Sequence, residues 1–297
     1  MMSKGVCGVK RWFAAGILLA FSGVGMVFAE NPADWTTPFP AFRIADNLYY
    51  VGSRDLASYL VTTPAGDILI NSSLESSPAL IKKSVESLGF KFSDVKILLI
   101  SHAHFDHAAG SAAVIKMTGA KYMVMDADVP VVESGGAKDF AYPDHHYPAL
   151  KVDRVLHDGD EVKLGGAVLV AHKTAGHTPG NTTWTMKVTD KGKSYNAVMV
   201  GSWFVNPGYR LVDKPGHPAS YPGIAKDYTR SFEVWEGLPC DIFLGAHGIY
   251  FGLLEKYPRM KQSGENVWVD PAAYRAAVVE RKAAFEKELR RQESGKD

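Results

Sequence analysis

The sequence predicts one α/β domain in which helices cover stacked sheets. Short apolar strand-like runs mix with amphipathic helix-like runs in both halves, no linker rich in Pro, Gly or Ser separates them, and no low-complexity block interrupts them. Length alone leaves one large domain or two small ones open for 297 residues, so the mixing decides for one. A chain that is 46% hydrophobic and 22% charged can bury an ordinary core. Its formal net charge of +1 leaves no basic footprint, so nucleic acid is not an expected partner.

The amino terminus reads differently from the rest. Lys4, Lys10 and Arg11 precede an apolar stretch from Trp12 to Phe28 that ends in Val27-Phe28-Ala29. That order of charge, apolar run and small-residue site is a secretory signal peptide over residues 1–29, cleaved after Ala29. Gly16, Ser22, Gly23 and Gly25 weaken the competing reading as a membrane anchor. The expectation is a periplasmic or secreted protein, without stable membrane association after cleavage, whose single domain runs over 30–297. Cleavage removes Cys7 and leaves Cys240 as the one thiol, so no internal disulfide can form.

After Pro40 the elements follow in order. Runs 47–51, 59–63 and 67–70 fit strands, with Pro64-Ala65-Gly66 supplying a turn. Ser76 and Ser77 cap a helix that starts at Pro78 and ends at Gly89. The run 95–100, apolar but for Lys96, predicts a strand buried on both faces, followed by a helix over 108–117 and a strand over 120–125. Residues 133–148, rich in Gly, Asp, His and Tyr, read as a loop. Strands are expected near 161–171, 182–188, 197–200 and 241–244, with a helix near 225–238. Asp270-Pro271 opens a terminal helix with Tyr274, Val278 and Phe285 on its apolar face and a polar tail that frays from Arg290.

The chemistry gathers after the strand 95–100. His102, His104, Asp106 and His107 lie within six residues, on a loop that a buried strand would hold rigid. His102 and His104, two apart, can point the same way from an extended segment. Imidazole nitrogens suit zinc, and a carboxylate beside them suits a second, hydrolytic zinc. Two further histidines stand at strand-to-loop transitions: His177 in Gly176-His177-Thr178-Pro179-Gly180, and His247 in Gly245-Ala246-His247-Gly248. Sites in α/β folds collect at the carboxyl ends of strands, so both positions suit a metal site assembled from distant segments. His145 and His146 could line a cleft mouth, but a solvated loop is the preferred reading, and His157, His172 and His217 receive no role.

His-x-His-x-Asp-His, then Gly-His-Thr-Pro-Gly, then a late Gly-x-His together resemble the metallo-β-lactamase superfamily across the whole mature chain, including Asn47-Leu48-Tyr49-Tyr50-Val51-Gly52 near its start. The resemblance implies a four-layered αβ/βα sandwich with a zinc cleft at one edge of the stacked sheets. Many members place a metal-bridging Asp between the third and last His, and two lactamase subclasses place a Cys there. Val200-Gly201-Ser202-Trp203 supplies neither, and with Asn206-Pro207-Gly208-Tyr209 downstream it is similar to the third subclass of class B β-lactamases. Carried over by position, the resemblance implies two zinc ions per chain, one on His102, His104 and His177 and the other on Asp106, His107 and His247.

Asp106 would also orient a zinc-bound hydroxide that attacks the β-lactam carbonyl, so no covalent intermediate and no Ser-x-x-Lys motif is needed. Ser202 and Asn206 are candidate donors to the substrate carboxylate, with ordinary turn chemistry at Pro207-Gly208 as the alternative. Trp203, Phe204 and Tyr142 could form an apolar wall of the site or belong to the core. The implied partner is a small-molecule β-lactam, and the implied state is a monomer. Two other readings compete: a hydrolase of another ester, lactone or thioester on the same fold, and a non-catalytic periplasmic metal-binding module. Relatives of the subclass often carry a disulfide near the carboxyl end, which the lone Cys240 cannot form.

Overall fold

Strands that are apolar on both faces need a cover on each side, and the first half of the chain supplies such strands. The computed structural model describes residues 31–262 and 266–295, so the leader expected over 1–29 lies outside the described residues. Among the described residues one sheet holds β1 (Phe42–Ala45), β2 (Leu48–Tyr50), β3 (Tyr59–Val61), β4 (Asp67–Ile70), β5 (Val95–Leu99), β6 (Lys121–Met125) and β7 (Arg154–Leu156), in sequence order. β1 to β4 form an antiparallel meander, and β4 to β7 are parallel. Parallel neighbours need crossovers, which here carry α1 (Pro78–Ser87), α2 (Phe105–Ala108), α3 (Ser111–Thr118) and α4 (Val129–Glu133).

The second sheet holds β8 (Glu161–Leu164), β9 (Ala167–Lys173), β10 (Thr182–Asp190), β11 (Lys193–Val200) and β12 (Ile242–Gly245), in the order β12-β11-β10-β9-β8. α5 (Ile224–Gly237) crosses from β11 to the parallel β12, α6 (Leu253–Gln262) follows, and α7 (Pro271–Glu293) packs against α5.

Side chains alternate across each strand, and that alternation builds the layers. Leu69 and Leu98 pack with Ile81 and Val85 of α1 and Val114 of α3. Their neighbours Ile68, Ile70, Ile97 and Leu99 join Trp184 and Val198 of the second sheet in one core, which extends to Phe232, Trp235 and Phe285 of α5 and α7. The order is helix, sheet, sheet, helix, the αβ/βα sandwich. Each large apolar side chain so buried contributes about 1.5–3 kcal/mol.

Several boundaries differ from the sequence expectation. The run 161–171 is two strands, β8 and β9, hinged at Gly165-Gly166. β1 and β7 were not legible. β7 has three residues with Val155 exposed, and α6 contains Pro258, a helix breaker by composition. The helix expected over 108–117 is split into α2 and α3 at Gly110, where a Cβ would stand 2.4 Å from the Ser72 carbonyl oxygen. The terminal helix does bury Tyr274, Val278 and Phe285, but its tail does not fray at Arg290: α7 continues to Glu293 with Gln292 buried.

Among the described residues no helix is long and apolar enough to cross a membrane. Cys240 is a free thiol.

Candidate metal centre

The strands bring their loops to one edge of the sandwich. β5 ends at Leu99 and its chain turns at once into the His102–His107 loop. That loop is pinned to the second sheet, since Thr182 N–H donates to Ser101 O at 2.7 Å and Trp184 Nε1–H to Ile100 O at 3.1 Å. His177 stands between β9 and β10, and His247 follows β12, where it forms a bridge with Leu56. Three loops remote in sequence thus converge, as the histidine positions suggested.

His102, His104 and His177 are buried, with one ligand atom from each inside 4.8 Å of the others. His177 Nδ1–H donates to Phe204 O at 2.9 Å, which leaves Nε2 for the centre. The Nε2 of His104 lies 3.6 Å from Asp139 Oδ1 and 3.5 Å from the Tyr209 hydroxyl, which leaves its Nδ1. Burial and the neighbouring imidazoles hold His102 and His177 well below the ordinary histidine range, and burial takes His104 down to about 3. These three rings are neutral at pH 7, the form a metal requires.

The other half is a triangle. His107 Nε2 is 3.2 Å from His247 Nε2 and 3.3 Å from Asp106 Oδ2, and His247 Nε2 is 3.5 Å from the same carboxylate oxygen. Burial alone would raise Asp106, but the charges and hydrogen bonds of His107 and His247 bring it well below the usual carboxylate range. Burial would lower His247, yet Asp106 and Asp55 outweigh it and carry it up to about 9. The two halves abut at His102, whose ligand atom is also inside 4.8 Å of Asp106 and His107.

The donor set fits zinc. It offers imidazole nitrogens and one carboxylate, and His102 Nε2 is buried with no hydrogen-bond partner among the described residues. Partners behind these ligands fix their orientation, and none was evident in the sequence. Asp55 accepts His247 Nδ1–H at 2.9 Å and Ile249 N–H at 3.0 Å.

Asp128, fully buried, joins the two motif loops. It accepts Ala103 N–H at 2.8 Å, and both the Thr178 hydroxyl and Gly180 N–H at 2.9 Å. Burial pushes its carboxyl up to about 7 against the pull of those donors. A Cβ at Gly180 would meet Asp128 Cγ at 2.6 Å, so the last glycine of Gly-His-Thr-Pro-Gly makes room for this contact. Asn71 follows β4 with φ +65° and accepts Ser101 N–H at 2.8 Å, steadying the residue before His102. Nothing in their local sequence marks Asp55, Asp128 or Asn71, because each acts through chain segments far away.

Tyr209 belongs to the Asn-Pro-Gly-Tyr run, but its role shows only in three dimensions. Its hydroxyl donates to His177 O at 2.9 Å while lying beside His104. Burial raises its pKa above the usual tyrosine value, so it remains a donor.

Of the proposed substrate contacts, Ser202 does not present its hydroxyl to the cleft. It is fully buried, with Oγ 3.2 Å from the Tyr250 hydroxyl. Asn206 is half-buried, and its Nδ2 donates to the Tyr142 hydroxyl at 2.9 Å. Trp203 is core, against Trp235 and Phe243, whereas Tyr142 edges onto His104 with ring centroids 4.9 Å apart. His145 is no bare solvated residue, because its ring stacks on Phe105 at 4.2 Å. Trp35 stands 5.8 Å from the His247 ring.

Residues 54–247 match the model of the Metallo-beta-lactamase superfamily. Among solved structures, the native FEZ-1 metallo-β-lactamase from Legionella gormanii is 55% identical, with a TM-score of 0.83, over 86% of this chain and 98% of that one. The class B3 di-zinc metallo-β-lactamase LRA-12 from an Alaskan soil metagenome is 35% identical, with a TM-score of 0.79, over 87% of this chain and 97% of that one. A UPF0173 metal-dependent hydrolase of Anaeromyxobacter dehalogenans is 33% identical over 127 residues, 42% of each chain. The chain thus spans less than half the length of the curated relatives it matches.

Proposed function

This chain belongs to the metallo-β-lactamase superfamily, and from that premise we propose that it is an exported hydrolase that opens β-lactam amides at a two-zinc centre, with antibiotic resistance as the consequence. The observation that carries the reading is the 55% identity to FEZ-1 over nearly all of that enzyme, with a candidate ligand at every position the family pattern requires. The ligand sets are those of the two half-sites: His102, His104 and His177 for one zinc, Asp106, His107 and His247 for the other. Zinc, when bound, supplies Lewis-acid polarisation and acidifies a water towards neutrality.

The chain's own residues do the rest. Asp106, held ionised, is the acceptor that orients the attacking water. Tyr209, held neutral, steadies two of these ligands from behind: its O–H donates to the His177 carbonyl, and its oxygen lies 3.5 Å from His104 Nε2, on the side of that ring turned away from the centre. Asn206 is the candidate donor to the substrate carboxylate. Tyr142, Phe105 and Trp35 stand in ring contact beside His104 and His247 and offer aromatic surface to the apolar part of the substrate.

Turnover of purified protein on nitrocefin, a carbapenem, a homoserine lactone and S-lactoylglutathione, with and without EDTA, tests this. The expected result is β-lactam hydrolysis lost on chelation and restored by zinc. Good turnover of another ester with every β-lactam left intact would replace this reading with that of a different hydrolase, the alternative that the metal-dependent hydrolase relatives favour. Zinc binding without any turnover would favour the non-catalytic module. Export is proposed on the charge and apolar pattern of residues 1–29, and the exported protein should begin at Glu30 on amino-terminal sequencing.

A further inference from the structure

Tyr209 reaches the centre from a segment with no helix or strand of its own, between β11 and α5. Its local supports are a turn, in which Tyr209 N–H donates to Asn206 O at 3.0 Å, and a pair with Ser220, whose Oγ accepts Arg210 N–H at 2.9 Å and whose N–H donates to Arg210 O at 2.8 Å. A further support comes from the far end of the chain. Gln292, in the last turn of α7, is 8% exposed, and its carboxamide takes main-chain groups from two residues of this segment. Oε1 accepts Leu211 N–H at 2.6 Å, and Nε2 donates to Tyr209 O at 2.8 Å.

The amide cannot be flipped, because that would set donor against donor at Leu211 and oxygen against oxygen at Tyr209. The second Nε2 hydrogen goes to Glu288 Oε1 at 2.7 Å, and Arg291 in turn grips Glu288 through two bonds. Further back, α7 is anchored by Phe285 stacked on Tyr228 and by the Tyr274 hydroxyl donating to Trp235 O at 2.9 Å. A rigid helix therefore ends in a bidentate grip on the main chain that carries Tyr209.

We propose that Gln292 is a positioning residue for hydrolysis: by clamping the main chain of Tyr209 and Leu211 it holds the Tyr209 hydroxyl between His104 and the His177 carbonyl. This rests on the reading that Tyr209 works in the centre. Ligand rings whose support is displaced by even an ångström are misoriented, so a residue remote from the chemistry can control turnover.

The test is a double-mutant cycle on the zinc-loaded enzyme, comparing Gln292→Leu, Tyr209→Phe and the pair by nitrocefin kcat and KM, with melting curves alongside. Gln292→Leu should lower kcat about tenfold and leave KM nearly unchanged. In the Tyr209→Phe background it should add less than about twofold, because the group it positions is gone. Gln292→Glu keeps the acceptor for Leu211 but not the donor to Tyr209, and should behave like Gln292→Leu even if the latter folds poorly. Hydrogen exchange should report a loss of protection at the Leu211 amide in Gln292→Leu.

Equal kcat losses in both backgrounds, or unchanged kcat in a folded Gln292→Leu, would overturn the clamp. A silent Tyr209→Phe would instead remove the role of Tyr209, and the clamp with it. Absence of nitrocefin turnover in the parent enzyme would strike at the substrate, and the same cycle would then be read on the ester that is turned over.

Discussion

The three-His half and the mixed half of the centre rest on different supports. His102, His104 and His177 are buried, neutral, and tied together from behind by main-chain hydrogen bonds to Asp128. His107, Asp106 and His247 gather around negative charge, with Asp106 inside the triangle and Asp55 behind it. His247 is 12% exposed, and the adjoining Ile249 is 78% exposed. Both loops of the first half are therefore tied into the fold, whereas the second adds to the buried Asp106 and His107 one ligand at the edge, His247. Substitutions behind the first should register in stability as well as in metal affinity, and those behind the second mainly in affinity.

Three substitutions sharpen or break that contrast. His247→Ala removes a ligand outright and should weaken the second metal by more than about 100-fold, beyond the usual cost of losing an outer partner, with the first metal retained. Metal analysis after dialysis that found both sites emptied, or both filled, would undo the partition into halves.

Asp55→Ala leaves every ligand in place but frees the His247 ring. Second-site affinity should fall about 10–100-fold in calorimetric titration, with first-site affinity unchanged. A melting temperature lowered as much as in Asp128→Asn would contradict an edge-mounted His247.

Asp128→Asn should cost the first site about tenfold in affinity and the fold about 2 kcal/mol, since an amide nitrogen must then face one of three buried donors. Urea unfolding of the metal-free protein reads that loss, and an unchanged midpoint would show that Asp128 holds nothing together.

Much of this was legible beforehand, for reasons particular residues make plain. The run 95–100 is apolar on both faces but for the exposed Lys96, and β5 is an inner strand of its sheet. Asp270-Pro271 announced a helix start, and Asp270 Oδ1 does accept Ala273 N–H at 3.0 Å. The candidate ligands stood out because four of them fall within six positions and the rest follow strand ends. The surroundings of Ser202 are not legible in sequence, because a hydroxyl in a turn sequence looks the same whether it is open or, as here, buried against Tyr250. The tail beyond Arg290 was read as polar and loose, yet Gln292 is polar because it has two main-chain groups to satisfy.

By itself the sequence determined an α/β domain with helices over stacked sheets and six candidate ligand side chains, because periodicity and ligand spacing are local properties of a chain. The αβ/βα order came from the resemblance that its motifs carry. Only the tertiary structure decided what stands behind those ligands: Asp55 behind His247, Asp128 between two loops, Gln292 behind Tyr209. Each bond joins residues dozens to nearly two hundred positions apart, and a carboxylate or carboxamide carries no mark of its partner until burial removes the water that would otherwise satisfy it.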